Sequence, residues 1–193
     1  GLEKLEYRGY DSSGIAIINS ETNSIICNKA KGKLKNLISE INNKSIPGTV
    51  GIGHTRWATH GKPEVKNAHP HIDSSGKVAV VQNGIIENYQ ELKIKLEKEG
   101  IVFNSDTDTE VIPHLIQKEL NTLSKLKLEN NGSTLLVAVR NVISDLEGSY
   151  AMAVLWEGAS DSLVVARKQA PLIIGLGEGE FICASDTPAI VNF

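Results

Sequence analysis

The sequence predicts an α+β fold built from antiparallel sheets and helices. Strand-like apolar runs lie at both ends of the chain, and segments with helical spacing are concentrated between them. The runs at each end are joined by short, hairpin-like segments, whereas regular alternation of strands and helices would indicate a doubly wound parallel sheet. The 193 residues contain no internal repeat or domain linker and fit one domain.

Periodicity locates the individual elements. Apolar residues at helical spacing predict helices over 31–43, 85–96 and 133–147. Strands are predicted at 13–19, 24–27, 49–55, 78–81 and 101–103, and three or four more in YAMAVLW, SLVVARK, LIIGL and FICAS. Another helix is expected to start near Thr107, which has capping-box spacing to Glu110, with Pro113 delaying or kinking it.

Composition excludes several classes of partner. The net charge is -3 with both signs well mixed, which argues against a nucleic acid or an anionic membrane surface as the partner. No run approaches the ~20 apolar residues that cross a bilayer. Two cysteines, Cys27 and Cys183, are too few for a disulfide framework and indicate buried free thiols in a cytoplasmic protein.

The segment HTRWATHG lies where a short strand ends, and it places Arg56, Trp57, Thr59 and His60 at the start of a long polar loop. A guanidinium offers a fixed fork of donors that matches a carboxylate, and an indole supplies a flat wall. Together they suit a small ligand with a free carboxylate, such as an amino acid. The alternative is an exposed arginine stacked on a tryptophan without any ligand.

The segment SDTDTE could complete such a site. A free amino acid also carries an ammonium group, for which Asp106 or Asp108 could supply the carboxylate. The alternative is structural, because Asp and Thr at a helix start are common caps and dipole partners.

The segment QNGIIEN joins a buried strand to a helix. The Asn83 amide and the Gly84 N–H lie side by side in sequence and could form an oxyanion hole for acyl transfer. A plain strand-to-helix turn is the competing interpretation.

Four histidines, His54, His60, His69 and His71, fall close together in sequence. A zinc site built from them is a weak hypothesis, since HExxH is absent and neither cysteine is near. We therefore expect ordinary loop histidines, no metal and no cofactor.

Taken together, these segments resemble the glucosamine-6-phosphate synthase family of class-II glutamine amidotransferases. The matching blocks are LEYRGYDSSGIAI, GIGHTRWATHG, NAHPH, NGIIENY, SDTDTEVI, LEGSYAMAV and ASDTPAI. They span essentially the whole chain, in the order the family has them.

The resemblance implies an N-terminal-nucleophile fold, an αββα sandwich of two antiparallel sheets between helix layers. It implies hydrolysis of L-glutamine to glutamate and ammonia by an N-terminal cysteine whose own α-amine acts as the base. In the parent enzyme the ammonia would convert fructose 6-phosphate to glucosamine 6-phosphate. The family also has a C-terminal sugar isomerase domain, and we expect the full-length protein to be a homodimer.

The resemblance also assigns roles to individual residues. Arg56 is expected to hold the glutamine α-carboxylate and Asp108 the α-ammonium, with Trp57, Thr59 and His60 lining the pocket. Asn83 and Gly84 are expected to form the oxyanion hole. Arg8 and Tyr10 are expected to support the site from behind the pocket residues, and His69, in the NAHPH segment, has only a positional role.

The chain departs from the family pattern in two places. Residues 1–193 correspond to the glutaminase domain without its first strand and its N-terminal cysteine, so the fragment is expected to be inactive and to have an unpaired sheet edge. Gln82 stands where the family commonly has His. A catalytically dead glutamine-binding module of the same fold is the alternative function.

Overall fold

The computed structural model describes residues 1–42, 44–57 and 61–191. Its first sheet has three antiparallel strands. These are β1 (Ser12–Ile18), β2 (Ile25–Lys31) and β3 (Gly51–Arg56), in the order β2-β1-β3. The turn between β1 and β2 forms because the Asn19 side-chain oxygen accepts from the following backbone N–H groups of Glu21 and Thr22.

The second sheet has four antiparallel strands in sequential order. They are β4 (His71–Ile72), β5 (Val78–Ile86), β6 (Gly148–Trp156) and β7 (Val164–Lys168). A separate hairpin follows, formed by β8 (Ile173–Leu176) and β9 (Phe181–Ala184).

Helices cover the outer face of each sheet. The helices are α1 (Leu2–Leu5), α2 (Leu34–Ile41), α3 (Tyr89–Lys98), α4 (Val111–Lys125) and α5 (Gly132–Ile143). Leu34 and Leu37 of α2 pack on the first sheet, and α3, α4 and α5 bury their apolar faces against β5 and β6. None of the helices in the described ranges is long and apolar enough to span a membrane.

The inner faces of the two sheets pack on each other. Strand residues alternate between faces, so every second residue of β1, β3, β5 and β6 points into this layer. The buried residues of the layer are Ala16, Ile18, Ile52, Ala79, Val81 and Leu155. The result is helices, sheet, sheet, helices, which confirms the expected αββα sandwich.

The region before α4 differs from the sequence prediction. Residues 101–103 form no strand; Ile101 and Phe103 instead pack against the helical core. Thr107 makes no capping hydrogen bond. The Glu110 carboxylate accepts from earlier backbone N–H groups, at Asn104 and Ser105, so the predicted capping box is wrong.

The expected delay of the helix at Pro113 is confirmed, and the expectation for the cysteines is corrected in part. Because α4 begins at Val111, Pro113 lies in its first turn, where a missing N–H costs no helical hydrogen bond. The thiols of Cys27 and Cys183 are free, as expected, but each side chain is only partly buried. Burial still raises the pKa of both thiols.

Gly84 lies inside β5 and not in a strand-to-helix turn, because the strand continues to Ile86 before α3 begins. Its φ of +107° is in the region that favours glycine. A Cβ on Gly84 would lie 2.0 Å from the Ser149 carbonyl oxygen of β6. Both the backbone angle and the space therefore require glycine here.

Replacing Gly84 with alanine is expected to destabilise the fold by about 3 kcal/mol or more, since backbone strain adds to a backbone clash. Gly100→Ala is the matched control: Gly100 also has a positive φ, +89°, but nothing lies within 4 Å of its added Cβ. Its cost should stay near 1 kcal/mol. Urea unfolding of both variants measures the difference, and equal losses would contradict the role of the Ser149 contact.

Candidate active site

A cavity of about 850 Å³ opens where the two sheets meet the N-terminal segment. Three elements supply its polar wall: the end of β3, the middle of β5 and a 3-10 helix, Asp108–Glu110. Arg56 and Asp108 both line this one cleft. Each is nearly buried, at 4% and 6% exposed, so neither side chain is a freely solvated surface charge.

Arg56 is held where the LEYRGYDSSGIAI and GIGHTRWATHG segments pack together. It is the last residue of β3 and lies opposite Ser12 of β1. Its carbonyl accepts from the Asp11 N–H at 3.1 Å. Gly9 permits this approach, since a Cβ there would lie 2.7 Å from the Arg56 carbonyl carbon.

The charge of Arg56 is balanced by nearby acids. Burial lowers the pKa of its guanidinium, and the carboxylates of Asp108 and Asp11 oppose that shift. Arginine remains protonated at any physiological pH. A buried cation near an acid in an open cleft is a ready partner for a ligand that carries both charges.

Asp108 is fixed to the opposite sheet. Its Oδ2 accepts from the Ile86 N–H of β5 at 2.7 Å. The loop before it is held by Glu110, whose carboxylate accepts from the N–H groups of Asn104 and Ser105 at 2.8 and 2.6 Å. One backbone contact thus holds the Asp108 carboxylate itself, and two more hold the loop that precedes it.

The sequence left Asp106 and Asp108 as alternatives for an ammonium group. The carboxylate of Asp106 forms an ion pair with Lys66 at 2.8 Å and accepts from the Asn67 amide at 3.2 Å. Its side chain is 56% exposed, and the residue does not line the cleft. Asp108 is therefore the candidate that the structure brings into the cavity with Arg56.

Asn83 and Gly84 enter the same cleft from β5. The Asn83 Oδ1 lies 2.9 Å from the Nε2 of His54, which comes from β3 in the other sheet. This contact joins the two sheets next to Arg56, which lies two residues after His54 on the same face of β3.

The remaining predicted residues lie at the rim or outside the described residues. The Trp57 indole is 54% exposed, and the Tyr10 ring meets it edge-on with centroids 5.4 Å apart. Arg8 lines the cleft and pairs with Asp186 at 3.7 Å. Thr59 and His60 fall outside the residues that the structure describes.

Sequence reasoning missed two contributors. His54 has no role in the sequence-based site, although it shares a strand face with Arg56 and strand alternation alone would have indicated it. The other is the ASDTPAI block, which forms part of the cleft wall through Ser185. There the Tyr7 hydroxyl donates to Asp186 at 2.6 Å, a contact between distant parts of the sequence.

The histidines form a stack of rings. His54 and His69 stack with centroids 4.3 Å apart and 17° between planes, and His71 meets His69 edge-on at 4.7 Å. Across the described ranges, no three His, Cys, Asp or Glu side chains converge as metal ligands would. Each ring binds a protein group: besides the contact of His54 with Asn83, His69 Nδ1 accepts from the Gln82 N–H, and His71 Nε2 meets the Thr107 hydroxyl at 3.0 Å.

Burial keeps this stack uncharged. It lowers the pKa of His54 to about 4 and that of His71 to about 3, with Arg56 and Lys29 adding repulsion. Burial also lowers the pKa of His69 well below its usual value, and the rings beside it act in the same direction. At pH 7 each ring is therefore neutral and carries one N–H.

Gln82, the departure from the family pattern, is buried beside the stack. Its Oε1 accepts from the Thr109 hydroxyl at 2.7 Å. Its backbone N–H donates to His69. The residue thus links β5, the histidine stack and the 3-10 helix that carries Asp108.

The fold and the cleft define the class of protein. The αββα sandwich with a polar cleft at the edge of its two sheets is that of the N-terminal-nucleophile amidotransferases. Among solved structures, glutamine phosphoribosylpyrophosphate amidotransferase from B. subtilis, in complex with ADP and GMP, superposes with a TM-score of 0.74 at 28% identity. The match covers 95% of this chain and 37% of that one.

Sequence comparison specifies the family. A model described as the glutamine amidotransferase domain matches residues 54–192, and the chain belongs to that family. Glutamine–fructose-6-phosphate aminotransferase [isomerizing] from Thermosynechococcus vestitus is 57% identical, and the protein of that name from Methanosarcina acetivorans is 52% identical. These matches cover 100% and 99% of this chain, which spans 30% of the length of each relative.

The neutral stack predicts a pH dependence of stability. The folded-state pKa values of these histidines lie below their ordinary value of about 6.5, so the unfolded chain binds protons that the folded chain rejects. The contribution of the neutral histidines to the free energy of unfolding is complete above about pH 6.5. It is lost as pH falls towards 4, at up to about 1.4 kcal/mol per pH unit for each histidine.

Urea unfolding between pH 7 and 5 measures this slope, above the range in which most carboxylates titrate. His69→Phe keeps a stacked ring but removes one titrating group. It should therefore reduce the slope of the free energy of unfolding against pH by about the contribution of one proton. A wild-type stability that stays flat between pH 7 and 5, or an unchanged slope in the variant, would contradict the neutral stack.

Proposed function

We propose that the parent protein hydrolyses L-glutamine in this cleft to glutamate and ammonia. We further propose that it uses the ammonia to convert fructose 6-phosphate to glucosamine 6-phosphate. The observation that carries the proposal is that Arg56 and Asp108 line one cavity together with Asn83 and Gly84. Support for the second reaction comes from the relatives that match along the entire chain, which are named for glutamine and fructose 6-phosphate.

In this proposal the two charged residues bind the two ends of the amino acid. The Arg56 guanidinium holds the α-carboxylate through two parallel hydrogen bonds, and Asp108 accepts from the α-ammonium. Trp57 lines the pocket, and Tyr10 supports its ring through an edge-on contact. The pocket role of Thr59 and His60 stays a prediction. Arg8 supports the cleft wall through Ser185 and Asp186.

The side-chain amide of glutamine is then the reacting group. A thiol of an N-terminal cysteine, assisted by its own α-amine, attacks the amide carbon, and negative charge develops on the amide oxygen. The Asn83 side-chain N–H and the Gly84 backbone N–H stabilise that charge. Donors fixed in a cleft need no reorganisation when charge appears, which is why such a pair lowers the barrier.

The proposal extends to the whole protein. Residues 1–193 are its glutaminase domain, and the chain spans 30% of the length of its relatives. We assign a sugar isomerase domain to the C-terminal part, a homodimer to the full-length protein and the cytoplasm as its location. No cofactor or metal is required for the hydrolysis.

Ammonia release from glutamine tests the proposed reaction. The 193 residues alone should be inactive, because Cys27 and Cys183 lie in strands, lack a terminal amine and have thiol pKa values raised by burial. The intact parent enzyme with an N-terminal cysteine should release ammonia. Turnover by the 193 residues that persists after their thiols are blocked would overturn this assignment.

Arg56→Lys in the intact enzyme tests the carboxylate contact. A lysine keeps the charge but cannot form two parallel hydrogen bonds, so the KM for glutamine should rise about tenfold or more, with kcat less affected. The control is Arg140→Lys, since Arg140 is exposed on α5, outside the cleft. If both variants keep the wild-type KM, Arg56 does not hold the carboxylate.

A further inference from the structure

We propose that His54 is a positioning residue that determines which end of the Asn83 side-chain amide faces the cleft. The inference rests on the proposed function, in which the Asn83 N–H stabilises the oxyanion. An asparagine amide has a donor end and an acceptor end of nearly the same shape. Only one of its two orientations presents a donor to the developing charge, so something must select that orientation.

The contact between the two side chains makes this selection. The Asn83 Oδ1 lies 2.9 Å from the His54 Nε2. A carbonyl oxygen can only accept, so the ring must present its proton at Nε2. In the flipped orientation the amide N–H would face the ring N–H, and two donors would oppose each other. The ring therefore occupies the acceptor end, and the donor end is left for the cleft.

The ring of His54 is itself held by a neighbouring ring. Its face stacks on His69, and His69 is anchored because its Nδ1 accepts from the Gln82 N–H at 3.2 Å. Gly14, the partner of His54 in β1, leaves room for this arrangement, since a Cβ there would lie 2.2 Å from the His69 carbonyl oxygen. The two sheets thus support the ring together.

The charge state of the ring agrees with this role. Burial lowers the pKa of His54 to about 4, and the cations of Arg56 and Arg8 disfavour a further proton. The neutral ring has a single N–H, which the contact with Asn83 assigns to Nε2.

A double-mutant cycle in the intact parent enzyme tests the coupling. Asn83→Ala should lower kcat for glutamine hydrolysis by about 10²–10³. His54→Leu should lower kcat by about tenfold or more, with the KM for glutamine changed by less than about threefold. The double variant should be no slower than Asn83→Ala alone, because both changes remove one interaction.

Losses that multiply in the double variant would overturn the inference, as would a His54→Leu enzyme with kcat within about twofold of wild type. His54→Gln should recover most of kcat, since its amide can donate from a similar position. Failure of this rescue in a folded variant counts against positioning. The control is Thr134→Val, a buried polar residue of α5 that does not line the cleft, and it should keep kcat within about twofold.

Nitrogen-15 NMR of the unmutated protein gives a test that needs no variant to fold. The His54 ring should be neutral with its proton on Nε2 at pH 7. A ring protonated only at Nδ1 would overturn the inference. If the unmutated enzyme releases no ammonia from glutamine, the proposed function fails, whereas the ring proton decides the His54–Asn83 contact independently.

Discussion

The packing of the two antiparallel sheets against each other is the interaction on which the cleft depends. Ile52 of β3 and Val81 of β5 belong to the apolar layer between the sheets. Two residues further along the same strand faces, the layer changes from apolar to polar at His54 and Asn83. The register that buries the hydrophobic residues therefore also places these polar side chains opposite each other.

Burying polar groups between sheets is costly unless they bind each other. The cleft meets part of this requirement with neutral rings and hydrogen bonds of 2.9 to 3.2 Å, and its formal charge lies on Arg56, Arg8 and the acids near them. Uncharged imidazoles need less compensation than imidazolium ions would. Each ring of the stack contacts another ring and a hydrogen-bonding partner.

The sequence predicted much of this arrangement. Periodicity alone reached α+β, and the family resemblance specified the αββα sandwich. The spacing of the quoted segments could not show that Arg56 and Asp108 meet, because that depends on how two sheets align. Local rules failed before α4: Ile101 and Phe103 are apolar because they cover helices, and Glu110 binds the backbone upstream of the expected cap.

The residue missed by sequence reasoning shows where local rules could have gone further. Alternation along β3 places His54 on the face of Arg56, so its direction was predictable. Its partner was not, since Asn83 belongs to a different sheet. The buried position of the Gln82 side chain was equally hidden, because its oxygen accepts from Thr109, a residue of a distant segment.

The contact of Tyr7 with Asp186 joins segments from opposite ends of the chain. β5 likewise pairs with β6, whose residues come after three intervening helices, α3, α4 and α5. During synthesis the ribosome releases these parts in order, so the cleft is among the last features of the domain to be completed. Until β6 emerges, the nascent chain presents one side of β5 as an open edge, the stage at which a growing chain of this kind is most exposed to mispairing.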